Sequence, residues 1–153
     1  MRLILQRVSS ASVRVEGETI SSIGQGILAL VGVEKGDGAE QVAKVADKLL
    51  HLRIFEDAEG RMNRDILEVG GSLLIVSQFT LAGSLAKGRR PSFGTAEAPE
   101  KAEPLIQQLV DDLRRQGVPV GSGRFRSKME VELVNDGPVT FILNVESDCQ
   151  PDP

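Results

Sequence analysis

The segment Ile27 to Val33 constrains this chain more than any other, because Ile-Leu-Ala-Leu-Val-Gly-Val contains no polar side chain. It is far shorter than the roughly 20 residues that cross a bilayer, yet it has the length of a strand. A strand apolar at both odd and even positions is buried on both faces. Gly24-Gln25-Gly26 punctuates its entry and Lys35-Gly36-Asp37-Gly38 its exit, with Asp37 offered as a helix cap.

The flanking segments alternate with a period of two. Leu3, Leu5 and Arg7 oppose Ile4, Gln6 and Val8 in a first strand, and Ser12 to Glu16 form a second with Val13 and Val15 on one face. Glu16-Gly17-Glu18 reads as a tight turn into a strand over Thr19 to Ile23. Val42, Val45, Ala46, Leu49 and Leu50 then recur at helical spacing, as do Leu105, Ile106, Leu109, Val110 and Leu113 before Gly117. Pro104 has no amide donor, so this second helix either begins near it or bends there. Strands are expected at Arg53 to Phe55, Ser72 to Ser77, Met129 to Val134 and Val139 to Val145, with turns at Asp57 to Gly60, Gly70-Gly71 and Asn135 to Pro138. Leu81 to Pro99 reads as a loop. The expected fold class is α+β: a mostly antiparallel, barrel-like sheet with two covering helices, forming one domain over residues 1–146 and a polar tail over 147–153.

Composition narrows the function. With 41% hydrophobic and 26% charged residues the chain is globular in character. No apolar run is long enough to span a membrane. Met1-Arg2 leads straight into a strand-like segment without a signal-peptide block, so the expected location is the cytoplasm. Cys149, the only cysteine, has no disulfide partner within the chain. The net charge of −4 means that any contact with nucleic acid depends on local basic clusters.

Several chemistries lack their residues. The single histidine, His51, falls at the end of the first helix, where a partly charged imidazole suits the dipole. A Ser-His-Asp triad, a Gly-x-Ser-x-Gly elbow, a phosphate-binding P-loop and Cys/His metal spacing are all missing. No metal and no cofactor are expected. Glu97, Glu100, Glu103, Asp111 and Asp112 read as a solvated helix face. What remains is catalysis by backbone groups, hydroxyls and the substrate itself, which suits an activated ester.

Two short segments stand out. Ser77-Gln78-Phe79-Thr80-Leu81 lies where an apolar strand stops, and Asn135-Asp136-Gly137-Pro138-Val139-Thr140 lies between two strands. Alone, the first is a strand end bearing hydroxyls and the second a turn. Together they resemble the D-aminoacyl-tRNA deacylase family. The likeness extends through Gln6-Arg7-Val8, Ala11-Ser12-Val13, Arg53-Ile54-Phe55, Arg90-Pro91-Ser92-Phe93 and Gly123-Arg124-Phe125 with Met129, and so covers Met1 to Val145 in order.

That resemblance implies hydrolysis of the ester joining a D-amino acid to the 3′ acceptor end of tRNA, with a mischarged glycyl ester also accepted. It implies a homodimer in which Gly137-Pro138, with a cis bond, enters the partner's pocket and excludes L-residues. Ser77, Gln78, Phe79 and Thr80 would line the pocket, with the Phe79 amide as oxyanion donor. Thr80 is the side-chain nucleophile on paper, but no base stands near it in the sequence, and the terminal 2′-hydroxyl of the tRNA is the better agent. Phe125 and Met129 would wall the adenine or serve as ordinary core. Arg7 would brace the Gly-Pro turn or be an exposed strand charge. Lys87, Arg89 and Arg90, with Arg124, Arg126 and Lys128, are candidate phosphate contacts or solubilising charges. Phe125-Arg126-Ser127-Lys128-Met129 is more basic than the small-residue version typical of the family. A non-catalytic nucleic-acid-binding protein is the competing class, and a general esterase using Thr80 is the third.

Overall fold

The computed structural model describes residues 1–148, so Cys149 and the remainder of the expected tail lie outside the described residues. Ten regular elements follow one another: β1 (Arg2–Val15), β2 (Glu18–Ile23), β3 (Gly26–Gly32), α1 (Ala39–His51), β4 (Phe55–Glu56), β5 (Met62–Arg64), β6 (Ser72–Ser77), α2 (Pro99–Arg115), β7 (Val120–Ser122) and β8 (Glu130–Asn144). A short 3₁₀ turn, Phe79–Ala82, follows β6. No helix among the described residues is long and apolar enough to cross a membrane.

The sheet is mixed. β1 pairs antiparallel with β2, β3 and β8, whereas β3–β6 and β6–β7 are parallel. β8 runs along one edge of β1, and the other edge is shared by β3 (Arg2 to Val8) and β2 (Ala11 to Val15). The sheet curls until β2 meets β6 and β7, giving a nearly closed barrel. Contact is close enough that a side chain at Gly121 would strike Ser21 Oγ.

β3 is buried on both faces, as its composition requires. Ile27, Ala29 and Val31 point into the layer beneath the helices, while Leu28 points into the barrel with Val8, Val13, Leu74 and Val76. Both helical stripes face the first of these layers, and Val42, Val45, Leu49, Leu109 and Leu113 are fully buried there. Each such side chain contributes about 1.5–3 kcal/mol by leaving water.

Several expected boundaries move. The two N-terminal strands are one, because β8 pairs along both and register shifts near Val8 absorb the irregularity. Glu16 and Gly17 both have positive φ, the geometry of a two-residue hairpin loop. Asp37 does not cap α1: it accepts from the Glu34 amide at 2.7 Å and the Met1 nitrogen at 2.8 Å. Gly38 is the N-cap instead, its amide donating to Gln41 Oε1 at 2.8 Å. The strand expected at Arg53 shifts to Phe55–Glu56, where pairing with β5 begins. α2 begins at Pro99, so Pro104 lies inside it, exposed.

The largest correction concerns Asn135 to Pro138. The chain does not turn there; both halves of β8 pair with β1 in the same sense. Between the pairs Val8–Asn135 and Gln6–Thr140, β1 contributes only Arg7 while β8 contributes Asp136, Gly137, Pro138 and Val139. The surplus bulges outward. Pro138 lacks the amide that a ladder needs, and the Gly137–Pro138 bond is cis.

Candidate active site

The site begins where β6 ends. Val31, on the adjacent strand β3, accepts from the Gln78 amide at 2.8 Å, and the chain then folds into the 3₁₀ turn. Leu81 is the first amide to donate within that turn, to the Gln78 carbonyl at 3.2 Å. The amides of Phe79 and Thr80 precede it and have no acceptor in the turn. Gly32 allows this close seat, since a Cβ there would lie 2.9 Å from Leu81 Cβ and 3.0 Å from the Gln78 oxygen. Thr80 is exposed, and its Oγ1 accepts a short hydrogen bond from Gln78 Nε2.

A cleft of about 670 Å³ opens beside this turn. Ser77, Gln78 and Phe79 form one wall, and Phe125, Arg126 and Met129 form another. Val31, Val33, Ala102 and Ile106 provide an apolar floor. Phe125 and Met129 are partly buried and pack against the two cores, so they serve the core and the cleft together. Gly123 makes room for Met129: a Cβ there would lie 2.6 Å from its sulfur.

Arg124 to Ser127 form a tight turn, closed by the Ser127 amide on the Arg124 carbonyl at 3.2 Å. Arg126 occupies its left-handed position with φ of 60°. Glycine is the low-cost residue there, and a side chain costs on the order of 1–2 kcal/mol. Arg126 and Lys128 are exposed along the cleft, and neither has an ion-pair partner among the described residues.

Lys87, Arg89 and Arg90 lie outside the cleft lining, on a fully exposed loop. Ser84 and Ser92 exchange backbone hydrogen bonds of 2.7 and 2.9 Å, which pinch the base of that loop. Next to the pinch, Phe93 packs on Phe79 with ring centroids 5.1 Å apart. This aromatic pair ties the basic loop to the turn that carries the free amides. Nothing in the local sequence signals that contact, since Phe79 and Phe93 stand on either side of the basic loop. Phe79 itself is 61% exposed and presents its ring at the cleft wall.

Arg7 is buried, not an exposed strand charge. It lies opposite the bulge, donating from NH1 to the Ile54 carbonyl at 2.7 Å and from Nε to the Asp136 carbonyl at 3.1 Å. The Asp136 carboxylate is 3.3 Å from Nε, and Glu56 is 3.8 Å from NH2. Asn135 Nδ2 donates to the carbonyls of Arg7 and Val139, each at 3.0 Å, closing the bulge from its other side. Gly137 and Pro138 are exposed at its tip. Neither they nor Arg7, Thr80 or Arg124 line the cleft of their own chain.

Glu97 lies before α2 rather than on its solvated face, and it lines the cleft. His51 ends α1, exposed, 3.7 Å from Asp47, and does not reach the cleft. Among the described residues no three His, Cys, Asp or Glu side chains gather as a metal would require.

Comparison with known proteins matches these features to one family. The family model described as D-Tyr-tRNA(Tyr) deacylase matches residues 4–144. A D-aminoacyl-tRNA deacylase of Geobacter sulfurreducens is 54% identical over 147 residues, covering 96% of this chain and 97% of that one. One of Thermomicrobium roseum is 56% identical over 144 residues, covering 94% of each. Among solved structures, a c-Myc DNA Unwinding Element Binding Protein superposes with a TM-score of 0.90 at 38% identity, covering 95% of this chain and 99% of its own. A probable eukaryotic D-amino acid tRNA deacylase shares the fold, with a TM-score of 0.79 at 20% identity over 94% of this chain and 98% of its own. Matched along nearly its whole length, this chain belongs to the D-Tyr-tRNA(Tyr) deacylase family.

Proposed function

We propose that this protein hydrolyses the ester of D-aminoacyl-tRNA, releasing the free D-amino acid and tRNA. The observation that carries the reading is the pair of free amides, Phe79 and Thr80, beside an apolar cleft into which no histidine reaches. Amides aimed at a developing oxyanion are worth several kcal/mol in a site that excludes water. Water adds to the ester carbonyl carbon, the oxyanion rests on the Phe79 N–H, and the bond to the ribose 3′-oxygen breaks. The neighbouring 2′-hydroxyl takes a proton from the attacking water as it passes its own to the departing 3′-oxygen, so that it ends as it began. Ser77 and Gln78 position the ribose, Thr80 orients groups through its bond from Gln78, and Phe125 and Met129 hold the adenine.

Chirality is read by the bulge of a second copy. Gly137-Pro138 is exposed and lies outside its own cleft, and Val134, Phe141 and Ile142 are large apolar side chains left exposed along the same strand. A homodimer that covers this strand brings the bulge to the partner's cleft, where two carbonyls receive the α-ammonium. An L side chain then meets the bulge, a D side chain points to open space, and glycine passes.

The test uses the purified, EDTA-treated protein on D- and L-tyrosyl-tRNA. D-tyrosine is released at least about 100-fold faster than L-tyrosine, the scale of discrimination that pocket shape alone provides. Equal rates, or dependence on added metal, refute the reading. The exposed loop Lys87, Arg89 and Arg90, with Arg124, Arg126 and Lys128, meets phosphates of the acceptor end. If three are engaged, raising salt from ~50 to ~200 mM lowers kcat/KM roughly 20-fold. A flat salt profile removes the phosphate role.

The name of the DNA-binding structural neighbour, together with the exposed basic loop, favours a second reading as a nucleic-acid-binding protein without catalysis. It predicts binding of tRNA without turnover and indifference to the attached amino acid. Aromatics at 3%, with no Trp or Tyr, leave such a binder few stacking platforms.

A further inference from the structure

We infer that Glu97 selects the base at the end of the substrate by accepting a hydrogen bond from the exocyclic amino group of the terminal adenine; this rests on the deacylase reading above. Glu97 is the one carboxylate lining the cleft among the described residues. It is half-buried and has no ion pair among the described residues. Its amide is anchored to the Val33 carbonyl at 3.0 Å, and Oε1 accepts from the Ala98 amide at 2.8 Å. The second carboxylate oxygen has no partner among the described residues, although the floor beside it is apolar. A ligand that fills the cleft displaces the water on this oxygen, and must offer a donor in its place.

Register along β3 decides which donor. The Val31 carbonyl holds the Gln78 amide, and the Val33 carbonyl holds the Glu97 amide. Glu97 therefore stands two strand residues, roughly 7 Å, farther along than the turn with the free amides. The ester and its α-ammonium must lie at that turn, so covalent connectivity keeps the ammonium away from Glu97. The part of an adenosine that extends along the floor is the base, and its outermost donor is the amino group. A guanine would present a carbonyl oxygen there and be repelled by the carboxylate.

The experiment compares D-tyrosyl-tRNA ending in adenosine with the same tRNA ending in purine riboside, which lacks only the amino group. Removing the amino group lowers wild-type kcat/KM roughly tenfold, as does Glu97→Ala on the adenosine substrate, the scale of one hydrogen bond to a charged group. The two losses do not multiply: Glu97→Ala hydrolyses both substrates alike. Glu97→Gln, whose amide oxygen still accepts, retains most of the preference for adenosine. Multiplying losses, or an unchanged rate in Glu97→Ala on adenosine, overturns the inference while leaving D-over-L preference intact. Loss of D-tyrosyl-tRNA hydrolysis by the wild-type protein itself would instead overturn the deacylase reading.

Discussion

A tRNA carrying D-tyrosine on a terminal 2′-deoxyadenosine is expected to resist this protein, with kcat/KM reduced by about 10³-fold, while Thr80→Ala on the normal substrate stays within about threefold of wild type. The contrast follows from what surrounds the cleft. Thr80 is exposed and its hydroxyl is already engaged by Gln78. Activating that hydroxyl needs a base, and His51 is held at the end of α1 outside the cleft. The substrate's 2′-hydroxyl is adjacent to the scissile bond by covalent structure, so its positioning costs almost no entropy. Single-turnover kinetics on the two substrates and the variant measure both quantities. An acyl-enzyme trapped on Thr80, or a dead Thr80→Ala with an active deoxy substrate, would assign the chemistry to the side chain.

Arg7→Met is expected to lower stability by about 2–3 kcal/mol, which in a chain of this size moves Tm down by roughly 5–10 °C. Methionine keeps much of the apolar stem but none of the donors. The buried Ile54 carbonyl loses its partner at 2.7 Å, whereas Asp136 and Glu56, at 47% and 60% side-chain exposure, can turn to water. The loss is therefore that of an orphaned acceptor rather than of a stranded buried charge, which would cost more. A functional signature accompanies it. Arg7 holds the Asp136 carbonyl next to Gly137, so its removal loosens the bulge and narrows the D-to-L rate ratio. Dependence on the 2′-hydroxyl is unchanged, because that chemistry belongs to the other wall of the site. Calorimetry and paired D/L assays check the two halves. A full D-to-L ratio in a destabilised Arg7→Met would reduce Arg7 to a structural residue.

Much of the fold was legible where burial imposes a period. The run Ile27–Val33 carries its two-sided burial in its composition, and the stripes through Val45 and Leu109 show which helix faces meet the sheet. The misreadings fall where a side chain has competing partners. Asp37 resembles a cap, but the Glu34 amide and the Met1 ammonium lie within its reach, and Gln41 serves Gly38 instead. Pro104 offers either a helix start or a bend, and the first of these is taken by Pro99, with the helix continuing past Pro104.

At the site the division is sharper. Ser77 to Thr80 and Asn135 to Thr140 are recognisable as segments, since residue types at set spacing survive in one dimension. That Asn135–Pro138 is a bulge in one strand cannot be read locally, because it depends on which residues of β1 lie opposite. The burial of Arg7, the Phe79–Phe93 contact and the placement of Glu97 on the cleft have the same origin. The sequence by itself determined most of the strand segments, which faces are apolar and which family motifs are present, because these follow from local periodicity and residue identity; β5 and β7 are too short to show a period. Only the tertiary structure decided which charges are buried and which backbone amides are left free beside a cleft, because pairing between distant strands sets both.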